Sequence, residues 1–104
     1  MGICVMRIIS QSTLIVFGRA HPKTRPSLER WRKLIKAANW SSTNEIRAAT
    51  GAVILNGERA RFEVAGGNYR MIVAFNFKHQ IAFIKFLGTH AEYDKIDALT
   101  VSSY

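Results

Sequence analysis

The sequence predicts an α+β fold in which N-terminal helices pack on one face of a twisted, mainly antiparallel β-sheet. The first half carries apolar residues at helical spacing, most clearly Leu28, Trp31, Leu34, Ile35 and Ala38. From Val53 onward the period changes to two, and the runs are separated by the turn-forming stretches Asn56-Gly57 and Gly66-Gly67-Asn68. With 104 residues, 48% of them apolar, the chain is expected to form one domain over 1–104 with no linker.

Taken in order, Ile3 to Ile9 is rich in β-branched residues and predicts a first strand. Met6 is a possible alternative start, because the strand is already complete from there. Ser10 then serves as an N-cap for a helix from about Gln11 to Ala20, with Leu14 and Phe17 facing the core. Gly18 weakens that helix by about 1 kcal/mol relative to Ala, and His21-Pro22 stops it. A second helix starts near Pro26, and Ser42-Thr43-Asn44-Glu45 has capping-box spacing for a short third helix ending at Thr50-Gly51.

Val53-Ile54-Leu55 and Ala60 to Ala65 form an antiparallel pair around Asn56-Gly57. Tyr69 to Phe77 follows, with Tyr69, Met71, Val73, Phe75 and Phe77 on one face and Arg70, Ile72, Ala74 and Asn76 on the other. Ile81 to Leu87 is the last strand, interrupted only by Lys85 and ended by Gly88. One sheet face is left available for a ligand.

Fifteen Lys and Arg against seven Asp and Glu give a formal charge of +8, which favours a polyanion such as nucleic acid as partner. The basic residues are spread over several elements and build no amphipathic membrane helix. The single cysteine, Cys4, cannot close an internal disulfide, which fits a reducing cytosol; a place in the core or an exposed terminus is expected for it. His21, His79 and His90 lie far apart and no ligand-spaced cluster appears, so neither metal nor cofactor is expected.

Thr89-His90-Ala91-Glu92-Tyr93-Asp94-Lys95 gathers an acid, a base and a cation, and one helical turn would bring His90 and Tyr93 together. Arg70 interrupts a nearly apolar strand, so it must reach water, pair with Glu63, or bind an anion.

Gly66-Gly67-Asn68-Tyr69-Arg70-Met71-Ile72 and the block from Thr89 to Asp97 resemble the signature blocks of HigB-like toxins of the RelE family. The N-terminal half agrees in Ser10, Leu14, Phe17, His21-Pro22, in Leu28 to Trp40, and in Glu45-Ile46-Arg47-Ala48, so the resemblance covers nearly the whole chain. It implies a RelE-like fold and an endonuclease that cuts messenger RNA on the ribosome. It also implies a helix-turn-helix, HigA-like antitoxin that holds the toxin inactive. Glu63 departs from the Asn common in the family, Gly66-Gly67 before Asn68 departs from the usual Gly-Asn pair, and Gly18 replaces a bulky aromatic.

RNA cleavage without a metal uses the substrate's own 2′-hydroxyl as nucleophile, leaving the protein to move protons and stabilise charge at the phosphate. On that reading Arg70 meets the non-bridging oxygens, His90 is the general acid or base, and Tyr93 orients the phosphate, bonds His90 or stacks on a base. Arg59, Arg61, Asn68, Lys85 and Lys95 are expected RNA contacts. Two alternatives stand beside this one: a basic RNA- or ribosome-binding module without catalysis, and a corepressor that acts through a bound antitoxin.

Overall fold

The computed structural model describes residues 6–104, so the expectations for Ile3 to Val5, and for Cys4 in particular, lie outside the described residues. The elements are β1 (Arg7–Ile9), α1 (Gln11–Ala20), a 3-10 turn (Pro22–Thr24), α2 (Arg25–Ala37), α3 (Thr43–Thr50), β2 (Val53–Ile54), β3 (Arg59–Val64), β4 (Tyr69–Asn76), β5 (Ile81–Thr89) and α4 (His90–Tyr93). The strands lie in the order β1-β5-β4-β3-β2. Every neighbouring pair is antiparallel except β1 with β5, which is parallel because α1, α2 and α3 intervene and the chain reaches β5 from the far edge. The α+β architecture is that of RelE-like toxins, as expected.

Alternation sorts the sheet into two faces. Met71, Val73 and Phe75 of β4, Phe62 and Val64 of β3, and Ala82 and Ile84 of β5 enter one core with Leu14, Leu28, Trp31, Ile35 and Ile46 from the helices. Trp31 meets Phe62 edge-on at 5.5 Å. Leu34, expected in the same stripe, is 42% exposed, because Leu28, Trp31 and Ile35 already fill the contact line.

Several local expectations are corrected. Ser10 is extended at the start of α1, but its hydroxyl bonds the Ser12 hydroxyl at 2.6 Å and caps no backbone amide. At α3 the Glu45 carboxylate accepts from the Ser41 backbone N–H at 2.6 Å, one residue before the capping-box position. Gly51 ends that helix in the left-handed region, as predicted. Asn56-Gly57 forms no two-residue hairpin turn. Instead, the Asn56 side-chain oxygen accepts from the backbone N–H groups of Glu58 (2.9 Å) and Arg59 (2.7 Å), organising a longer loop.

Gly88 does not end the last strand, which continues to Thr89. A Cβ at Gly88 would meet Phe86 Cζ at 2.8 Å and Glu92 Oε1 at 2.9 Å, so glycine is what lets α4 fold back against the strand end. Within β5 the pairing passes from Val73↔Ile84 to Ile72↔Phe86, leaving Lys85 as the extra residue of a bulge. The bulge shifts the alternation by one: Ala82 and Ile84 before it and Leu87 after it all join the core.

The second face is only partly open. Arg59 Nη1 donates to the carbonyls of Ala98 (3.1 Å) and Val101 (2.8 Å), and the Ser103 N–H donates to Lys85 O at 2.8 Å. The segment after α4 is thereby tied to both strands flanking β4, and Ile72, on the face away from the helices, is fully buried. Exposed side chains at the end where β3, β4 and β5 meet α4 include Glu63 and His90, and a second opening on the sheet is lined by Ala74, Asn76, Phe83 and Lys85. No helix among the described residues is long and apolar enough to cross a membrane.

Candidate functional site

The β3–β4 register sets Glu63 opposite Arg70, and the β4–β5 register sets Arg70 opposite Gly88. Arg61, two residues before Glu63, shares its face by strand alternation. The turn between the strands carries Ala65, Gly66 and Gly67 at φ of +52°, +70° and +92°, of which the last two are glycines that adopt this region without strain.

The first turn of α4 supplies the aromatic. Thr89 and Glu92 form a full capping box: the Glu92 N–H donates to Thr89 Oγ1 (3.1 Å) and the Thr89 N–H to Glu92 Oε1 (2.8 Å). The Thr89 backbone N–H, and then its hydroxyl, hold the Glu92 carboxyl below the usual carboxylate range. Tyr93 is thereby set against β3 and β4, with its ring edge-on to Phe86 at 6.2 Å.

Two guanidiniums converge on that ring, Arg70 with Cζ 4.9 Å from its centroid and Arg61 with Cζ 5.4 Å away. Arg61 Nη1 also donates to the Tyr93 hydroxyl at 3.3 Å, which pushes the Arg61 pKa up. Glu63 bridges the pair, with Oε1 3.3 Å from Arg61 Nη2 and Oε2 3.4 Å from Arg70 Nε. The Arg70 Nε contact is within ion-pair range but lacks hydrogen-bond alignment.

His90 stands at the rim, with its side chain 51% exposed and Nδ1 3.4 Å from Asp94 Oδ2. Its backbone N–H donates to Asn68 O at 3.1 Å, which ties the β3–β4 turn to the start of α4. The turn of helix predicted from spacing is present, but His90 and Tyr93 take different partners: His90 faces Asp94, and Tyr93 faces Arg61 and Arg70.

Of the expected RNA contacts, Arg61 and Asn68 lie at this site. Asn68 Nδ2 donates to Ala65 O at 3.2 Å, holding the turn closed. Arg59 is engaged with the C-terminal segment, and Lys85 Nζ lies over the Phe83 ring at 5.3 Å, away from the arginine pair. Lys95 follows α4, with its N–H bonded to Glu92 O at 3.1 Å. His21 joins Tyr69 (oxygen to Nδ1, 3.4 Å) and Phe17 in an aromatic cluster on the helix side. Among the described residues no three His, Cys, Asp or Glu side chains gather as metal ligands would.

The role of Arg61 as partner of Tyr93 and the double bridge made by Glu63 were missed by sequence reasoning. The alternation Arg61-Phe62-Glu63, read with the Gly66-Gly67 turn, carried the signal for placing both beside Arg70.

Chemically, two adjacent guanidiniums against an aromatic ring, bridged by a carboxylate, are a cationic pair of the kind that suits an anion. On this fold the combination defines a small RelE-like protein with a pair of arginines at one end of its sheet. A profile of the HigB toxins, described as the RelE-like toxic component of a toxin-antitoxin system, matches residues 24–96. The mRNA interferase HigB of Escherichia coli O6:H1 strain CFT073 is 31% identical over 94 residues, covering 88% of this chain and 91% of that protein. The chain belongs to the HigB toxin family.

Proposed function

We propose that the protein is the toxin of a toxin-antitoxin pair and cuts messenger RNA within the translating ribosome through the Arg61, Arg70, Tyr93 and His90 site. Family membership supports a toxin with an antitoxin partner and an RNA substrate. The observation that carries the site assignment is the convergence of Arg61 and Arg70 on the ring of Tyr93, which shares the short helix α4 with His90.

In this reading Arg70 and Arg61 hold the non-bridging oxygens of the scissile phosphate as negative charge builds there. The 2′-hydroxyl of the preceding ribose attacks phosphorus and loses its proton, while the P–O5′ bond breaks and the 5′-oxygen gains one. The products are a 2′,3′-cyclic phosphate and a 5′-hydroxyl. His90 carries out one of the two proton transfers, with Asp94 orienting its ring and setting its tautomer. Asn68 and Lys95 border the same end and meet the RNA backbone, while Arg59 and Lys85 contact RNA along the flank beside the C-terminal segment. The antitoxin is proposed to be a HigA-like helix-turn-helix protein. The whole chain, 1–104, is proposed to act as a single toxin domain in the cytoplasm.

Mapping of transcript 5′ ends after a short induction tests this. New ends within translated codons are expected with the wild type and should vanish with His90→Ala. Growth arrest without new ends would instead favour a binding module.

A further inference from the structure

We infer that Glu63 is a built-in competitor for the substrate phosphate: its carboxylate occupies the anion position between Arg61 and Arg70, and RNA must displace it to bind. The inference rests on the proposed RNA-cleaving role of this site, and concerns how strongly the site takes its substrate.

Two guanidiniums brought to 4.9 and 5.4 Å from one ring centroid repel each other, and the ring's negative face offsets only part of that. A negative charge between them supplies the rest. Glu63 meets this need with one oxygen toward each arginine, at 3.3 and 3.4 Å. A phosphodiester carries the same single charge, also spread over two oxygens, so it satisfies the same pair of cations in the same way. Both cannot do so at once.

The carboxylate is suited to leaving. Its side chain is 45% exposed, against 20% and 19% for Arg61 and Arg70, so it can turn into solvent while the arginines stay in place. The arginines have anchors of their own in Tyr93, through the 3.3 Å hydrogen bond to Arg61 and the ring face under both. The contact with Arg70 Nε lacks hydrogen-bond alignment, so charge attraction alone holds the carboxylate there. A Cβ at the neighbouring Gly67 would lie 3.5 Å from Glu63 Oε2, so the turn leaves space beside the carboxylate.

The test is the binding of a fluorescein-labelled single-stranded RNA with 2′-O-methyl at every ribose, followed by anisotropy. Such an RNA binds but offers no 2′-hydroxyl for cleavage. Glu63→Gln keeps the shape and removes the charge, and is expected to bind about five-fold more tightly, which corresponds to about 1 kcal/mol for a unit charge about 4 Å away in water. The gain should shrink as salt is raised. Glu63→Asp, whose shorter arm reaches one arginine at a time, should fall between the two and guards against a folding defect in the first variant. Equal or weaker binding by Glu63→Gln, with its thermal midpoint unchanged, would overturn the inference and make Glu63 a positioning residue for the arginines. Undetectable binding by wild type and variants alike would overturn it as well. Transcript-end mapping of the wild type decides the proposed function separately, since a wild type that cuts RNA while Glu63→Gln binds no better loses only the competitor role.

Discussion

The two faces of β4 are built from the same eight residues and do opposite work. Met71, Val73 and Phe75 point to the helices and are at most 4% exposed, while Arg70, on the other face, shares Tyr93 with Arg61 and pairs with Glu63. The first face is held by apolar contacts within one continuous buried cluster. The second joins the fully buried Ile72 to an end held by charge, by an aromatic ring and by a four-residue helix. Stability should therefore depend on the helix face and activity on the other, and the two should separate under mutation.

The largest effect expected on the helix face is from Ile35→Ala. Ile35 is fully buried in the cluster that joins α2 to the sheet, and its truncation should cost about 2–5 kcal/mol in urea unfolding. Activity per folded molecule should stay close to wild type. On the other face, Tyr93→Ala removes the ring beneath both arginines and should lower cleavage by about 10- to 100-fold, while the unfolding midpoint changes little. Single-turnover cleavage on programmed ribosomes, measured beside urea unfolding, checks both.

A smaller effect is expected at the helix that joins the two regions. Thr89→Ala breaks the capping box of α4 and should cost about 1 kcal/mol, concentrated in faster amide exchange at Glu92 and Tyr93. The Glu92 carboxyl is held low by Thr89, so its contribution is present above the free carboxylate value and is lost as pH falls through the folded one. Being exposed, it contributes little. An acid titration of α4 followed by the Tyr93 ring resonances should show wild type loosening at lower pH than Thr89→Ala.

Much of this arrangement was legible in local pattern. The α2 stripe, the alternation of Phe62 and Val64 against Arg61 and Glu63, and the odd face of β4 each follow from one periodicity over a short stretch. The features that escaped depend on distant partners. The parallel pairing of β1 with β5 joins residues more than seventy positions apart. The bulge at Lys85 shifts the alternation only because β4 lies alongside, and Gly88 reads as a terminator until Glu92 is seen folding back on it.

At the site, the sequence identified Arg70 as an anomaly within an apolar strand and the pairing with Glu63 as one outcome, and that pair is present. It did not identify Arg61 as the second guanidinium on Tyr93, because the approach of α4 to β3 is set by packing at the end of β5. Nor did it show that the segment after α4 covers part of the sheet, since the Arg59 bonds that hold it run to backbone carbonyls and leave no side-chain pattern.

Arg70→Ala tests the separation of the faces most directly, with cleavage of ribosome-bound message and urea unfolding measured on the same preparation. The expected result is a loss of cleavage of about 100-fold or more, the scale of removing one donor aimed at developing transition-state charge, with an unfolding free energy within about 1 kcal/mol of wild type. Cleavage that persists at the wild-type rate, or a loss matched by unfolding of the protein, would contradict it.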